Sequence, residues 1–364
     1  MRDDSASAMA GRRWGGFTRL SASWLLLGML ALLALAACGN APSKADFGDQ
    51  KNHIHSMVAV PGHPGMLLVA THYGLFRTTD GGQNWTKVMG DVGQLAANLM
   101  DTNLTVSPVD PERVYVEAIT FSDLPKTNAG TQGIYTSDDG GATWQLASAL
   151  TNLPAASVYY MVAGAGSDKQ LYAYFQGLGA QGLFESEDAG AHWQQLGTLP
   201  DTESLGLVVD PAKAGHLFVY SEDAGLSVSD DNGAHWQPVA GIKDGISRAL
   251  LVGSMLYASG DDGTYVSQDG GAHFTLTLPN ITFSYLVSST AHPTTAFGLT
   301  GTQLYITTDG GQTWKPLAIP PDRLIAPNLA VEPDSGQTVY LGNSYPVYVY
   351  SSSDNGQQWS QIAP

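Results

Sequence analysis

The chain has one cysteine, Cys38, among 364 residues. No disulfide framework can brace the fold, so it must be held by its core alone. Charge is scarce too: charged residues are 13% of the chain, and 33 acids against 16 bases leave a net charge of −17. Residues 1–37 hold four arginines and two aspartates, so the remainder carries −19. Nucleic acid and bare anionic membrane are poor partners for such a surface. Past residue 37 only four arginines remain, Arg77, Arg113, Arg248 and Arg323. No window of about 15 residues in that stretch has helical periodicity. Glycine, serine and threonine are plentiful, which suits short strands joined by many turns.

The first segment is addressed differently from the rest. Arg12, Arg13 and Arg19 precede an apolar run from Trp24 to Ala37, which ends in Leu35-Ala36-Ala37-Cys38-Gly39. A basic region, an apolar region and a small-residue cleavage site make residues 1–37 a signal peptide. Leu35-Ala36-Ala37-Cys38 resembles the lipobox of bacterial lipoproteins. That resemblance implies a lipid on Cys38, a lipidated linker over residues 38–52, and a protein exported and anchored to the outer face of a bacterial membrane. Membrane contact is then expected through the anchor only. Asp3 and Asp4 are unusual in such a leader, which leaves Met1 and Met9 both open as the start. Arg12-Arg13 is continued by Trp14-Gly15-Gly16, which does not extend a twin-arginine pattern.

The body of the chain repeats one eight-residue phrase, Ser/Thr-x-Asp-x-Gly-x-x-Trp. Copies begin at Thr78, Ser137, Ser186, Ser229, Ser267, Thr307 and Ser352, and the fifth ends in Phe274 in place of Trp. Their starts lie 59, 49, 43, 38, 40 and 45 residues apart, the period of a propeller blade of four strands. The repeated acids are Asp80, Asp139, Asp188, Asp231, Asp269, Asp309 and Asp354. Asp before Gly-Gly, Ala-Gly or Asn-Gly turns the chain, and its carboxylate accepts local N–H groups. These acids are therefore read as structural, with the aromatic packing on its own returning strand.

Each unit reads strand, turn, strand, Gly, strand, box, strand. The first runs His53–Val60, Met66–Thr71, Gly74–Thr78, then Trp85–Met89 after the box. Alternating apolar residues in Arg248–Tyr257 and Ile281–Leu286 are expected to supply inner strands of the fifth and sixth units. Residues 53–364 are thus expected to form an all-β, single seven-bladed propeller, every blade built from contiguous sequence. Closure is expected by packing of blade seven on blade one, unless Asp46–Lys51 adds a strand.

The boxes and their spacing resemble the Asp-box (BNR) repeats of sialidases, xyloglucanase-type glycoside hydrolases, sortilins, and photosystem II stability and assembly factors. The resemblance covers residues 53–364 and speaks to architecture more than to chemistry. One seven-bladed ring behind a lipobox is most similar to the assembly-factor-like group. Sialidases would require three arginines on the face opposite the boxes, with an Asp acid and a Tyr–Glu pair. Arg77 and Arg113 fall on strands or near the box side, leaving only Arg248 and Arg323 for that face. Phe76-Arg77-Thr78 also lacks the Ile-Pro of the sialidase N-terminal motif. The assembly factors use a basic patch for their partner, and this sequence has none.

The candidate binding face, opposite the boxes, gathers Asp201, Glu203, Glu222, Asp223, Asp244, Asp261 and Asp262 with Arg248 and Arg323. It reads either as a patch for a cation, a basic partner or a sugar, or as a solvated acidic rim. No loop has calcium-ligand spacing, and His192, His235 and His273 recur at one box position, so no metal and no cofactor is expected. The resulting expectation is a non-catalytic binding or assembly scaffold for a protein or glycan, without nucleic acid. The alternative is an extracytoplasmic glycoside hydrolase, xyloglucanase-like more than sialidase-like. It requires two carboxylates across a pocket lined by aromatics such as Tyr73, Phe121, Phe175, Tyr285 and Tyr345.

Overall fold

The computed structural model describes residues 47–121, 124, 127–201, 206–243, 245–320 and 324–363. Cys38 and the expected leader lie outside the described residues, as do Glu203, Asp244 and Arg323. Seven four-stranded antiparallel sheets follow one another, each a simple meander of consecutive strands. The first strands, Ile54–Ala59, Met100–Val106, Ala155–Ala163, Gly206–Val209, Ile246–Val252, Tyr285–Ser288 and Asn328–Val331, touch one another in a closed circle. The chain is a seven-bladed β-propeller with those strands innermost. Leu150–Asn152 forms one turn of 3-10 helix.

Burial explains the pattern of each blade. Second strands are covered on both faces by the neighbouring blades, so they read as unbroken apolar runs. In Leu67–Thr71 and Leu217–Ser221 every residue is buried. Fourth strands lie outermost and are short and polar, as in Gln194–Gln195 and Gln237–Pro238. The cores sit between blades, where Tyr115 of blade two meets Phe175 of blade three in one cluster. A fully buried aliphatic or phenyl side chain contributes about 1.5–3 kcal/mol of transfer free energy.

Among the described residues no strand is exchanged between the termini. Blade seven meets blade one through side chains: the Trp85 indole donates to the Ile362 carbonyl at 3.0 Å, and Gly65 N–H donates to the Glu332 carboxylate at 2.8 Å. Asn328 Nδ2 and Ser344 Oγ both donate to the Ile54 carbonyl. Residues 47–51 add no strand. Phe47 instead stacks on Phe76, ring centroids 4.2 Å apart, and meets Trp85 edge-on.

Two inner strands depart from the sequence reading. The apolar alternation over Arg248–Tyr257 spans two strands, Ile246–Val252 and Met255–Gly260, with a turn at Gly253-Ser254 between them. Blade six starts its inner strand at Tyr285, because Phe283 first turns fully into the core.

Candidate functional site

A meander of four strands puts first–second and third–fourth connections on one side of the ring and the remaining connections on the other. Every Asp box is a third–fourth connection, so all seven share one face. In blade two, Ser137 Oγ donates to Asp139 Oδ1 at 2.8 Å and accepts from Gly141 N–H at 2.8 Å. Asp139 further accepts from Thr143 N–H, Thr143 Oγ1 and Ala142 N–H. Desolvation opposes ionisation of Asp139, yet the bonds from Thr143, Ser137 and Ala142 hold its carboxyl below the ordinary range. Asp231 and Asp309 are brought down to about 2, chiefly by bonds from His235 and Thr313 respectively. The fourth and fifth box residues all have positive φ, from Gly81 and Gly82 to Asn355 and Gly356. The fourth residue's N–H also bonds the first–second turn of its own blade, as Gly140 does to the Glu112 carbonyl.

The box aromatic reaches further than its own hairpin. Trp85 bonds blade seven and Trp359 bonds the Ala318 carbonyl of blade six. Trp193 packs in the cluster that joins blades two and three. The expected packing on the returning strand is thus a bridge to the preceding blade. His192, His235 and His273 each place Nδ1 2.6 Å from the aspartate of their own box, as a repeat-copied residue should. A groove of about 660 Å³ on this side runs along Asp269, His273 and Gln312, where the carboxylate and imidazole are already paired.

The opposite face holds the central mouth. A cavity of about 350 Å³ there is lined by Tyr159, Ser247, Arg248, Thr282, Phe283 and Ser284, joining blade three to blades five and six. Arg248 is fixed by three contacts. Its Nε donates to the Ser284 carbonyl at 2.5 Å, its Nη1 reaches the Tyr220 hydroxyl at 3.4 Å, and its guanidinium lies 5.6 Å from the Tyr285 ring centroid. Tyr159 is 46% exposed, so the mouth presents one anchored cation and one open aromatic.

Around blade one the same face carries a cluster that the sequence reading did not weigh. His53, His55 and His72 place ring nitrogens within 4.8 Å of one another. The ladder between the first two strands shifts register between Ile54 and Ser56, a bulge at His55. His72 sits in the turn after the second strand and stacks on His53 at 4.8 Å. Tyr345 stacks on the other imidazole face of this group at 5.2 Å from His53, and Phe121 meets His72 edge-on. Burial, then the neighbouring His53 and His72, brings His55 down to about 4. The sequence signal was present: His-x-His opening an inner strand, with a third histidine at the next turn of the same blade.

A model of the DUF6242 beta propeller domain matches residues 161–363, and a BNR/Asp-box repeat model matches residues 135–146. The chain belongs to the DUF6242 beta propeller family. No curated protein sequence matches it. Among solved structures it is similar to the GH74 xyloglucanase from Xanthomonas campestris, with TM-score 0.63 and 18% identity over 86% of this chain and 54% of that one. It therefore spans about half the length of that enzyme. It is also similar to YCF48 bound to D1 peptide, with TM-score 0.57 and 16% identity over 84% of this chain and 94% of that one. YCF48 from Cyanidioschyzon merolae gives TM-score 0.57 and 13% identity over 84% and 96%. At these identities the likeness is one of fold.

In this DUF6242 propeller the expected acidic face is only partly assembled. Gly245 N–H bonds the Glu222 carbonyl and Asp261 N–H bonds the Gly245 carbonyl, so the Glu222-Asp223 and Asp261-Asp262 turns lie along one arc. Glu222, Asp223 and Asp261 are exposed, while Asp262 pairs with Lys243 at 2.5 Å and accepts from the Tyr265 hydroxyl. Asp201 stands apart, lining a cavity of about 220 Å³ at the edge of blade three with Tyr174 and Gln195. Of the five proposed aromatics, Phe175 is buried in the core between blades two and three and cannot line a pocket. Two buried acids went unnoticed in the sequence. Asp101 is fully buried, with neither oxygen hydrogen-bonded among the described residues, and burial raises its carboxyl well above the usual range, against Lys87. Burial raises Glu117 to about 7, and Asn103 donates to it at 2.8 Å. Both are sealed from solvent, on strands of blade two.

Proposed function

We propose that this propeller is a non-catalytic binding module that takes an extended protein segment or a glycan on the face opposite the Asp boxes. The observation that carries the reading is the mouth itself: an anchored Arg248 and an open Tyr159 around a cavity whose lining, among the described residues, holds no carboxylate. A guanidinium with a nearby ring suits a peptide carbonyl or carboxylate, or a sugar hydroxyl stacked on the aromatic. The seven box carboxylates are consumed within their own turns, so they are not available to a ligand on the other side. The solved YCF48 complex, a propeller of similar fold, holds a D1 peptide. Cys38 carries the lipid in this reading and tethers the ring to the outer face of a bacterial membrane. Phe47 is packed on Phe76, so the eight residues between Cys38 and Phe47 bound the reach of the anchor, at most about 29 Å.

The hydrolase reading draws on the likeness to the GH74 xyloglucanase. It needs two carboxylates facing each other across a cleft, at about 5–5.5 Å for retention or 6.5–9.5 Å for inversion. The test sets wild type beside Tyr159→Ala and Arg248→Lys, each in full chains purified in detergent. Pull-downs from solubilised membranes and a glycan array are expected to give a partner that wild type retains and Tyr159→Ala loses. Sustained release of reducing sugar from xyloglucan by wild type would overturn the binding-module reading in favour of the hydrolase.

A further inference from the structure

The three imidazoles of blade one converge as metal ligands converge. In a zinc site each ligand nitrogen lies about 2.0–2.1 Å from the ion, which places tetrahedral nitrogens about 3.4 Å apart. His53, His55 and His72 already hold theirs within 4.8 Å, so modest rotation of the rings closes the set. We propose that His53, His55 and His72 bind one zinc-type divalent cation, with the fourth position left to water or to a ligand on the open face.

Several features support this. The donors come from one blade: a residue leading into the inner strand, the bulged residue of that strand, and the turn between the next two strands. The bulge at His55 is the kind of insertion that re-aims a side chain and spends one ladder position doing so. The His55 Nε2 atom is buried and has no hydrogen-bond partner among the described residues, a cost that a metal bond removes. His53 Nδ1 lies 3.3 Å from the Lys51 carbonyl, the kind of second contact by which proteins orient a ligating imidazole. Three neutral nitrogen donors suit zinc, copper or nickel and not calcium or magnesium, which take oxygen. The rings of Tyr345 and Phe121 pack against His53 and His72.

The proposal does not depend on which partner the mouth binds. Its test uses tag-free full chain in detergent, stripped with chelator and dialysed. Equilibrium dialysis with Zn²⁺ and titration with Co²⁺, followed by visible absorption, are expected to give one equivalent of each ion and the ligand-field bands of nitrogen-bound cobalt. His53→Ala and His55→Ala should each weaken Zn²⁺ at least tenfold, and Zn²⁺ should raise the melting temperature of wild type but not of either single variant. The triple variant His192→Ala, His235→Ala, His273→Ala should keep the site. If His55→Ala does not fold, the more peripheral His53→Ala decides. Absence of stoichiometric binding by folded wild type would overturn the proposal. So would undiminished binding in His53→Ala, or loss confined to the triple box variant.

Discussion

Replacing Ser137 by alanine is the sharpest test of how an Asp box holds its blade. Ser137 is 1% exposed, and its hydroxyl both donates to Asp139 and accepts from Gly141 N–H at 2.8 Å. Asp139 N–H also reaches it, more weakly, at 3.3 Å. Alanine leaves the Gly141 N–H buried with no acceptor, and an orphaned buried donor costs about 1–3 kcal/mol. The Asp139 carboxylate is closer to water, which can replace part of what Asp139→Ala removes. Ser137→Ala is therefore expected to cost about 2 kcal/mol, and Asp139→Ala no more than that, although Asp139 makes more bonds. In a ring larger than 250 residues, 2 kcal/mol lowers the melting temperature by about 4 °C. Ser137→Thr is the control, since Thr78 and Thr307 fill the same position in blades one and six. Differential scanning calorimetry of the three variants reads the order directly. If Ser137→Ala melts with wild type while Asp139→Ala does not, the hydroxyl is not the centre of the turn.

Four other perturbations probe different links. Gly311→Ala would set a Cβ 2.5 Å from Val266 Cγ2 at φ +80, so the urea midpoint should fall by an equivalent of about 2–4 kcal/mol, whereas Gly301→Ala, with open space around it, should leave the midpoint unchanged. Phe47→Ala removes the ring stacked on Phe76 at the seam of blades seven and one, and is expected to cost about 3–5 kcal/mol and to open that seam to limited proteolysis first. Glu117, raised to about 7 by burial, contributes stability that is complete below the unfolded value of about 4.3 and is lost as pH rises through 7, so Glu117→Gln should gain on wild type in melting temperature between about pH 5 and 7.5 and match it near pH 4. Cys38→Ser should move the protein out of the membrane fraction, and an unmodified mature N-terminus at another residue, seen by mass spectrometry, would refute the anchor.

What the sequence disclosed and what it hid divide by distance along the chain. Ser/Thr, Asp and Gly of a box bond at separations of two to four residues, so seven copies at blade spacing were enough to fix the blade count and the turn chemistry. The Trp85 acceptor is the carbonyl of Ile362, 277 residues away, and nothing local to Trp85 says that its indole crosses to another blade. The inner strand of blade five was misplaced because period-two alternation continues through Gly253-Ser254 into the next strand, and only pairing reveals the turn. The histidine cluster depends on a bulge that shifts register by one residue, a feature with no fixed sequence signature. Asp101 escaped for the opposite reason: a lone acid in a strand reads as exposed, and here its burial is complete.

The division of labour between the two faces follows from the same bonds. On the box face, hydroxyl, carboxylate and backbone N–H groups satisfy one another within each turn, and the Trp or Phe side chain is committed to the preceding blade. A surface whose polar groups are already paired gains little by exchanging those bonds for a ligand's. The opposite face has no repeated motif to saturate it. Its connections vary in length, from the two residues His72-Tyr73 to the long segment between Ile119 and Gly133. Variable loops on a rigid ring are where side chains can be placed for a partner without disturbing the frame. Arg248 and Tyr159 stand on first strands, and the three histidines at the entry, the bulge and the second turn of blade one, so the ring holds them while the turns beside them are free to differ. The fold thus spends its regular chemistry on closing the ring and leaves recognition to the side on which the sequence does not repeat.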